Sequence, residues 1–175
     1  MSMRKVEVTK YNENWIVLFQ EEARKLTEIF GTELLEIHHF GSTSVKGLKA
    51  KPIIDMLLVV KDIQLVNKFN GEMRSLGYVP KGENGIPERR YFQKGGDQRT
   101  HHVHIYEKDN KQIIRHLAFR DYLREHPDSV KMYGDLKMEL AKRFPFNIDS
   151  YIDGKESLVL ELEKKALKWW MSTHK

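Results

Sequence analysis

The residues best suited to chemistry cluster between Gly41 and Asp55, in the stretch GSTSVKGLKAKPIID. A loop that comes close to an anion needs a residue without a side chain, and Gly41 supplies one. Ser42, Thr43 and Ser44 add hydroxyls. If they open a helical turn, their backbone N–H groups also point at a negative charge, as a phosphate would require. Lys51 contributes a point charge. Asp55 interrupts the apolar run PIIDMLLVV, where a lone carboxylate is costly to desolvate, so it needs a cationic partner or a metal. The plainer alternative is an ordinary turn with a helix cap, Asp55 being paired with a buried Arg or Lys.

A second cluster lies in THHVHIYE. Alternation along an extended segment puts His102, His104 and Tyr106 on one face and His101, Val103 and Ile105 on the other. Two imidazoles at that spacing can converge on one ion or phosphate, donate to a phosphate oxygen, or exchange a proton near neutral pH. With Asp55 on an adjacent strand they would form a His, His and Asp metal site, better suited to zinc or manganese than to magnesium. The alternative is a sheet face that is merely half polar.

Basic residues supply a third set. At about 100° per residue, Arg120, Asp121 and Arg124 of IIRHLAFRDYLREH share an arc with Ile113, Ile114 and Leu117, which a solvated face does not explain. They either form a buried network, Arg120 pairing with Asp121 or Asp55, or line a pocket and bind an anion with a guanidinium fork. Arg89 and Arg90 precede the histidine segment, and Arg90 joins the ligand-binding candidates. Tyr151 and Lys155 stand one helical turn apart, so Lys155 can reach a phosphate while Tyr151 stacks or donates. Asp149 or Ser150 capping a surface helix is the competing account.

The elements that must position these groups can be traced along the chain. Asn12 or Asn14 caps a helix through NENWIVLFQEEARKLTEIF, in which Trp15, Leu18, Phe19, Ala23, Leu26 and Ile29 or Phe30 recur at helical spacing and Gly31 ends it. LLEIHHF reads as a strand, and PIIDMLLVV as a central strand covered on both faces. IQLVNKFNGEMRSLGY reads as a helix stopped by Gly77, and ERRYFQKGGDQRTHHVHIYE as a hairpin around Gly95 and Gly96. Three helices finish the chain, the second opened by Pro127 and Asp128 and the third running from about Asp149 to Trp170. The order implies an α+β fold, a small mixed sheet with helices packed on it and a helical C-terminal part.

Composition narrows the classes. With 175 residues and no internal repeat, a single domain over 1–175 is expected. No apolar run approaches the roughly 20 residues of a membrane span. No apolar segment follows the first charges, so nothing reads as a secretory signal and a cytoplasmic location is expected. The absence of cysteine excludes thiolate metal sites and cysteine nucleophiles. A net charge of +5 with no polybasic block favours an anionic small molecule, and the aromatics do not interleave with a basic strip as a nucleic-acid surface requires.

The apolar strand, the Gly41 and Ser42 pair, and the acid on the next strand resemble the signature of the nucleotidyltransferase superfamily. GSTSVKGLKAKPIIDMLL, RTHHVHIYE, FRDYLREHP and the Tyr151 with Lys155 pair together resemble the GrpB branch of it, over nearly the whole chain. The resemblance implies a nucleotidyltransferase-like fold and a Gly-Ser loop that holds nucleotide phosphates. It also implies a second acid two positions after Asp55, where both carboxylates would hold magnesium, but Leu57 stands there. The superfamily's third acid has no evident counterpart. Three functions follow as expectations. One is a metal-dependent nucleotidyltransferase using Mg, Mn or Zn at Asp55, His102 and His104. Another is a module that binds a nucleotide or phosphorylated metabolite without turnover. The last is a histidine-based phosphoesterase, weakened because Tyr106 stands where a third alternating histidine would be.

Overall fold

The computed structural model describes residues 5–174. The chain runs through α1 (Asn14–Phe30), β1 (Leu34–Phe40), β2 (Ile54–Val60), α2 (Asn70–Ser75), β3 (Tyr78–Pro80), β4 (Arg89–Lys94) and β5 (His101–Glu107). Helices α3 (Lys111–Glu125), α4 (Pro127–Arg143) and α5 (Ile148–Thr173) complete it. The strands form one mixed sheet in the order β1-β2-β5-β4-β3. β2 lies antiparallel to β1 and parallel to β5, and β5, β4 and β3 follow as antiparallel neighbours.

Several helix boundaries have a local cause. Asn12 Oδ1 accepts from the Asn14 N–H at 2.8 Å, and Gly31 ends α1 at a φ of 54°. Asn110 caps α3 by accepting from the Gln112 N–H, Asn147 caps α5 through the Ser150 N–H, and Pro127 opens α4. Three features depart from sequence expectation. The segment after Asp62 begins as a 3-10 helix, Ile63–Phe69, and only its end, α2, is α-helical. Strand β3 was not expected; it is a three-residue edge strand ending in Pro80, where a missing N–H costs no ladder bond. Leu18, expected on the apolar stripe of α1, is 37% exposed, whereas Glu22 is buried and accepts from Tyr78 Oη at 2.6 Å and Lys94 Nζ at 2.9 Å.

The two faces of the sheet are covered differently. One carries Ile54, Met56, Leu58, Val60, Val103, Ile105 and Phe92 against Trp15, Leu26 and Phe30 of α1 and Met73 of α2. The other holds a small apolar patch of Phe40, Leu57, Val59 and Tyr106, with Ile113 of α3 packed against it. α3, α4 and α5 form a separate cluster around Ala118, Tyr122, Leu123, Tyr133, Leu162 and Ala166, which also takes in Val45 and Leu48 from the segment after β1. That segment is thereby clamped between sheet and helical layer, and the candidate site lies at this junction.

Candidate functional site

The site starts from a pairing of strands. Parallel register sets Asp55 of β2 opposite His102 of β5, and antiparallel register sets it opposite Phe40, the last residue of β1. Gly41 follows with φ 70° and ψ −173°, and a Cβ at that position would overlap Asp55 Oδ2. The anion that Gly41 approaches is therefore the protein's own carboxylate. Ser42–Ser44 then form one 3-10 turn. Ser44 Oγ donates to the Gly41 carbonyl. Thr43 Oγ1 donates to the Ile53 carbonyl at 3.2 Å and, its own hydrogen so engaged, accepts from His39 Nε2 at 2.9 Å.

A cavity of about 140 Å³ opens at this point, lined by Ser42, Thr43, Lys51, Ile53, Asp55, His102, Lys137, Tyr151 and Lys155. Three lysines thus border the cavity with one carboxylate, an arrangement that favours an anionic guest. Lys137 of α4 is only 2% exposed; its Nζ donates to Ser42 Oγ at 2.7 Å and lies 4.5 Å from the centre of the Tyr133 ring. Burial holds its pKa well below the usual lysine range, with Lys155 and Lys51 adding repulsion and Asp55 opposing it. Lys51 and Lys155 lie 5.2 Å and 5.3 Å from the Tyr151 ring centre. Tyr151 is wholly buried, and burial raises its hydroxyl's pKa above the usual phenol range. That hydroxyl and His102 Nε2 are buried without a hydrogen-bond partner, and such atoms call for a partner from a bound molecule or water. Burial raises the Asp55 pKa, but His102, His104 and Lys51 outweigh it and hold the carboxyl below its ordinary range.

The expected site residues divide accordingly. Ser42, Thr43, Lys51, Asp55, His102, Tyr151 and Lys155 meet at the cavity, with Gly41 beneath Asp55. Ser44, Arg90, Arg120, Arg124 and His104 do not line it. Arg124 Nε and Nη2 both donate to the Ser44 carbonyl, at 3.1 Å and 2.9 Å, and Arg120 Nη1 donates to the His39 carbonyl at 3.1 Å while its Nε pairs with Asp121 at 2.8 Å. Both arginines hydrogen-bond backbone carbonyls on either side of Gly41, and Arg120 has the Asp121 partner that one of the two sequence accounts gave it. Arg90 pairs in register with Ile105, on the opposite sheet face from Asp55, and donates to Asn67. Arg89 is the one on the site's face, buried against His104. Lys137 was missed by sequence reasoning, although it falls in the apolar arc of α4 with Tyr133 and Leu140.

The His, His and Asp metal site is not assembled. His102 Nδ1 lies 3.4 Å from Asp55 Oδ1, but His104 Nδ1 turns to Arg89 Nη1 at 3.3 Å, and its ring packs against Phe40 and Tyr91. Among the described residues, no group of three His, Asp or Glu side chains is placed to hold a metal ion. The position for a second acid is equally closed, because Leu57 has no exposed surface and packs with Phe40, Val59 and Tyr106. These residues do not fit a two-carboxylate magnesium clamp.

The fold is nucleotidyltransferase-like. Residues 5–165 match the family described as GrpB protein, and the chain belongs to that family. It is 53% identical over 166 residues to UPF0157 protein YqkA of Bacillus subtilis, covering 95% of this chain but 48% of that protein, so the chain spans about half of that relative's length. The crystal structure of conserved protein GrpB from Enterococcus faecalis superposes with a TM-score of 0.92 at 47% identity, covering 94% of this chain and 99% of that one. A structure of the Cid1 poly(U) polymerase with MgGTP bound superposes with a TM-score of 0.53 at 18% identity, over 78% of this chain and 45% of that one, a likeness of fold alone. Among the described residues no helix is long and apolar enough to cross a membrane.

Proposed function

We propose that this protein binds a nucleoside triphosphate or another phosphorylated small molecule, with a phosphoryl group seated among Ser42, Lys51, Lys137 and Lys155. One observation carries the reading: Lys137, almost fully buried, is aimed at the Ser42 hydroxyl in a cavity that two further lysines border. A buried, desolvated ammonium is costly unless an anion joins it. The cavity is small beside the several hundred Å³ of a pocket for a whole cofactor, which suits the phosphate end of a ligand. Past Lys51 and Ile53 it adjoins a wider one of about 660 Å³, bordered by Pro52, Gln98, Arg99 and Thr100, which offers room for a nucleoside.

Leu57 in the core favours binding through the protein's own cations over two-metal nucleotidyl transfer. A divalent ion shared between Asp55 and a ligand's phosphates is tested separately. Isothermal calorimetry with pyrophosphate and each nucleoside triphosphate, in EDTA and then with Mg, Mn or Zn, should show binding in EDTA. Lys137→Met should weaken it about 10- to 100-fold, the scale of one charge-assisted hydrogen bond, without lowering the melting temperature. Binding that appears only with a metal and vanishes in Asp55→Asn would restore the metal site in place of the lysine site. Unchanged affinity in Lys137→Met would remove the pocket.

A further inference from the structure

We infer that His102 is the proton acceptor of this pocket: its Nε2 takes the proton from a hydroxyl, of water or an alcohol, that attacks a phosphoryl group held by the three lysines. The inference rests on the phosphate-binding reading above and adds a reaction to it. Four observations meet at this ring. Parallel register pairs His102 with Asp55, and Nδ1 lies 3.4 Å from Oδ1. An ionised carboxylate only accepts, so the nitrogen facing it carries the hydrogen and the lone pair of the neutral ring falls on Nε2. Nε2 is buried with no partner on a residue that lines the cavity. The Tyr91 ring stands at 68° to the imidazole with centres 5.7 Å apart, limiting its rotation.

Asp55 is thus a positioning residue, the role left to the strand's single acid where Leu57 replaces its companion. His104 cannot substitute, because Arg89 engages its Nδ1 and the rings of Phe40 and Tyr91 enclose it. In the step itself, the hydroxyl proton passes to Nε2 as its oxygen forms the new bond to phosphorus. The bond from phosphorus to the leaving oxygen breaks, its electron pair stays on that oxygen, and the ammonium groups of Lys51, Lys137 and Lys155 neutralise the charge. His102 then gives the proton to the departing oxygen or to solvent, and no metal or redox partner is needed for the balance.

The test reads the tautomer directly. Long-range proton–nitrogen NMR of protein labelled with nitrogen-15 at histidine should show His102 with hydrogen on Nδ1. Asp55→Ala should shift the ring toward the Nε2–H form that free imidazole side chains prefer, while the His39, His104 and His116 signals stay in place as proof of folding. Adding pyrophosphate should move the Nε2 resonance of the wild-type protein. Hydrogen on Nε2 in the wild type overturns the inference, as does a tautomer indifferent to Asp55. Calorimetric binding of pyrophosphate that leaves the Nε2 resonance unmoved overturns it too, with the binding reading intact. No calorimetric binding overturns both.

Discussion

Strands β2 and β5 present two faces built from alternate residues of the same segments, and the faces differ in kind. Toward α1 and α2, Ile54, Met56, Leu58, Val103 and Ile105 are all buried and apolar. Toward α3, α4 and α5, the face changes along its length: Asp55 beside His102 at the cavity, Leu57 beside His104 one pair further, Val59 beside Tyr106 after that. One face only holds the molecule together. The other grades from a polar pocket to a sealed patch within three residue pairs, and the seal falls at the position where a second metal-binding acid would have to stand.

Acid should affect both faces alike, and this is the largest effect expected. Burial holds His39, on the α1 side, and His104, on the site side, at about 4, and His116 of α3 at about 3, with neighbouring arginines adding to the shift. Their folded values lie below the unfolded value near 6.5, so the unfolded chain binds the extra protons. The stability they leave intact above pH 6.5 is lost as pH falls toward 4. At about 1.4 kcal/mol per pH unit and group, each removes roughly 2 kcal/mol by pH 5. Urea midpoints measured from pH 7.5 to pH 4.5 should fall steeply, and His39→Gln and His104→Gln should each flatten the profile. A flat wild-type profile would mean that these imidazoles are hydrated.

Leu57→Asp tests the seal. A carboxylate set among Phe40, Val59 and Tyr106 loses its water, and the loss should be on the order of 4 kcal/mol, whereas Leu57→Met should cost less than about 1.5 kcal/mol. Chemical denaturation separates the two. A Leu57→Asp protein with the wild-type midpoint and a new magnesium dependence of pyrophosphate binding would show that the patch can open, and that the site is one substitution away from a metal clamp.

The same contrast explains what could be seen in advance. Alternation and helix-stop signals are local, so the hairpin of β4 and β5, the strand character of β2, and the shared face of Asp55, His102 and His104 were all legible. So was the likeness to the GrpB family. Partners distant in sequence were not legible. Nothing near Arg124 announces that its fork is filled by the Ser44 carbonyl, 80 residues away. His104 shares a face with Asp55 yet turns to Arg89, because face is set by period and rotamer by packing. Lys137 did have a signal. The test that singled out the arginines of α3, a charge inside an apolar arc, picks it out when applied to α4, between Tyr133 and Leu140.

The smallest expected effect concerns the arginines that brace the loop. Arg124 reaches Ser44 through a backbone carbonyl, and its side chain is 42% exposed, so Arg124→Ala should cost about 1 kcal/mol and lower pyrophosphate affinity only several-fold. Size alone does not separate bracing from ligand contact, but salt does. A cation that touches the anion contributes to the screening of binding, so its removal weakens the dependence of affinity on ionic strength. Lys137→Met should flatten that dependence, while Arg124→Ala should lower affinity at every salt concentration and leave the slope unchanged. A flattened slope in Arg124→Ala would move the guanidinium from the back of the loop into the pocket, and the division between bracing arginines and binding lysines would fall.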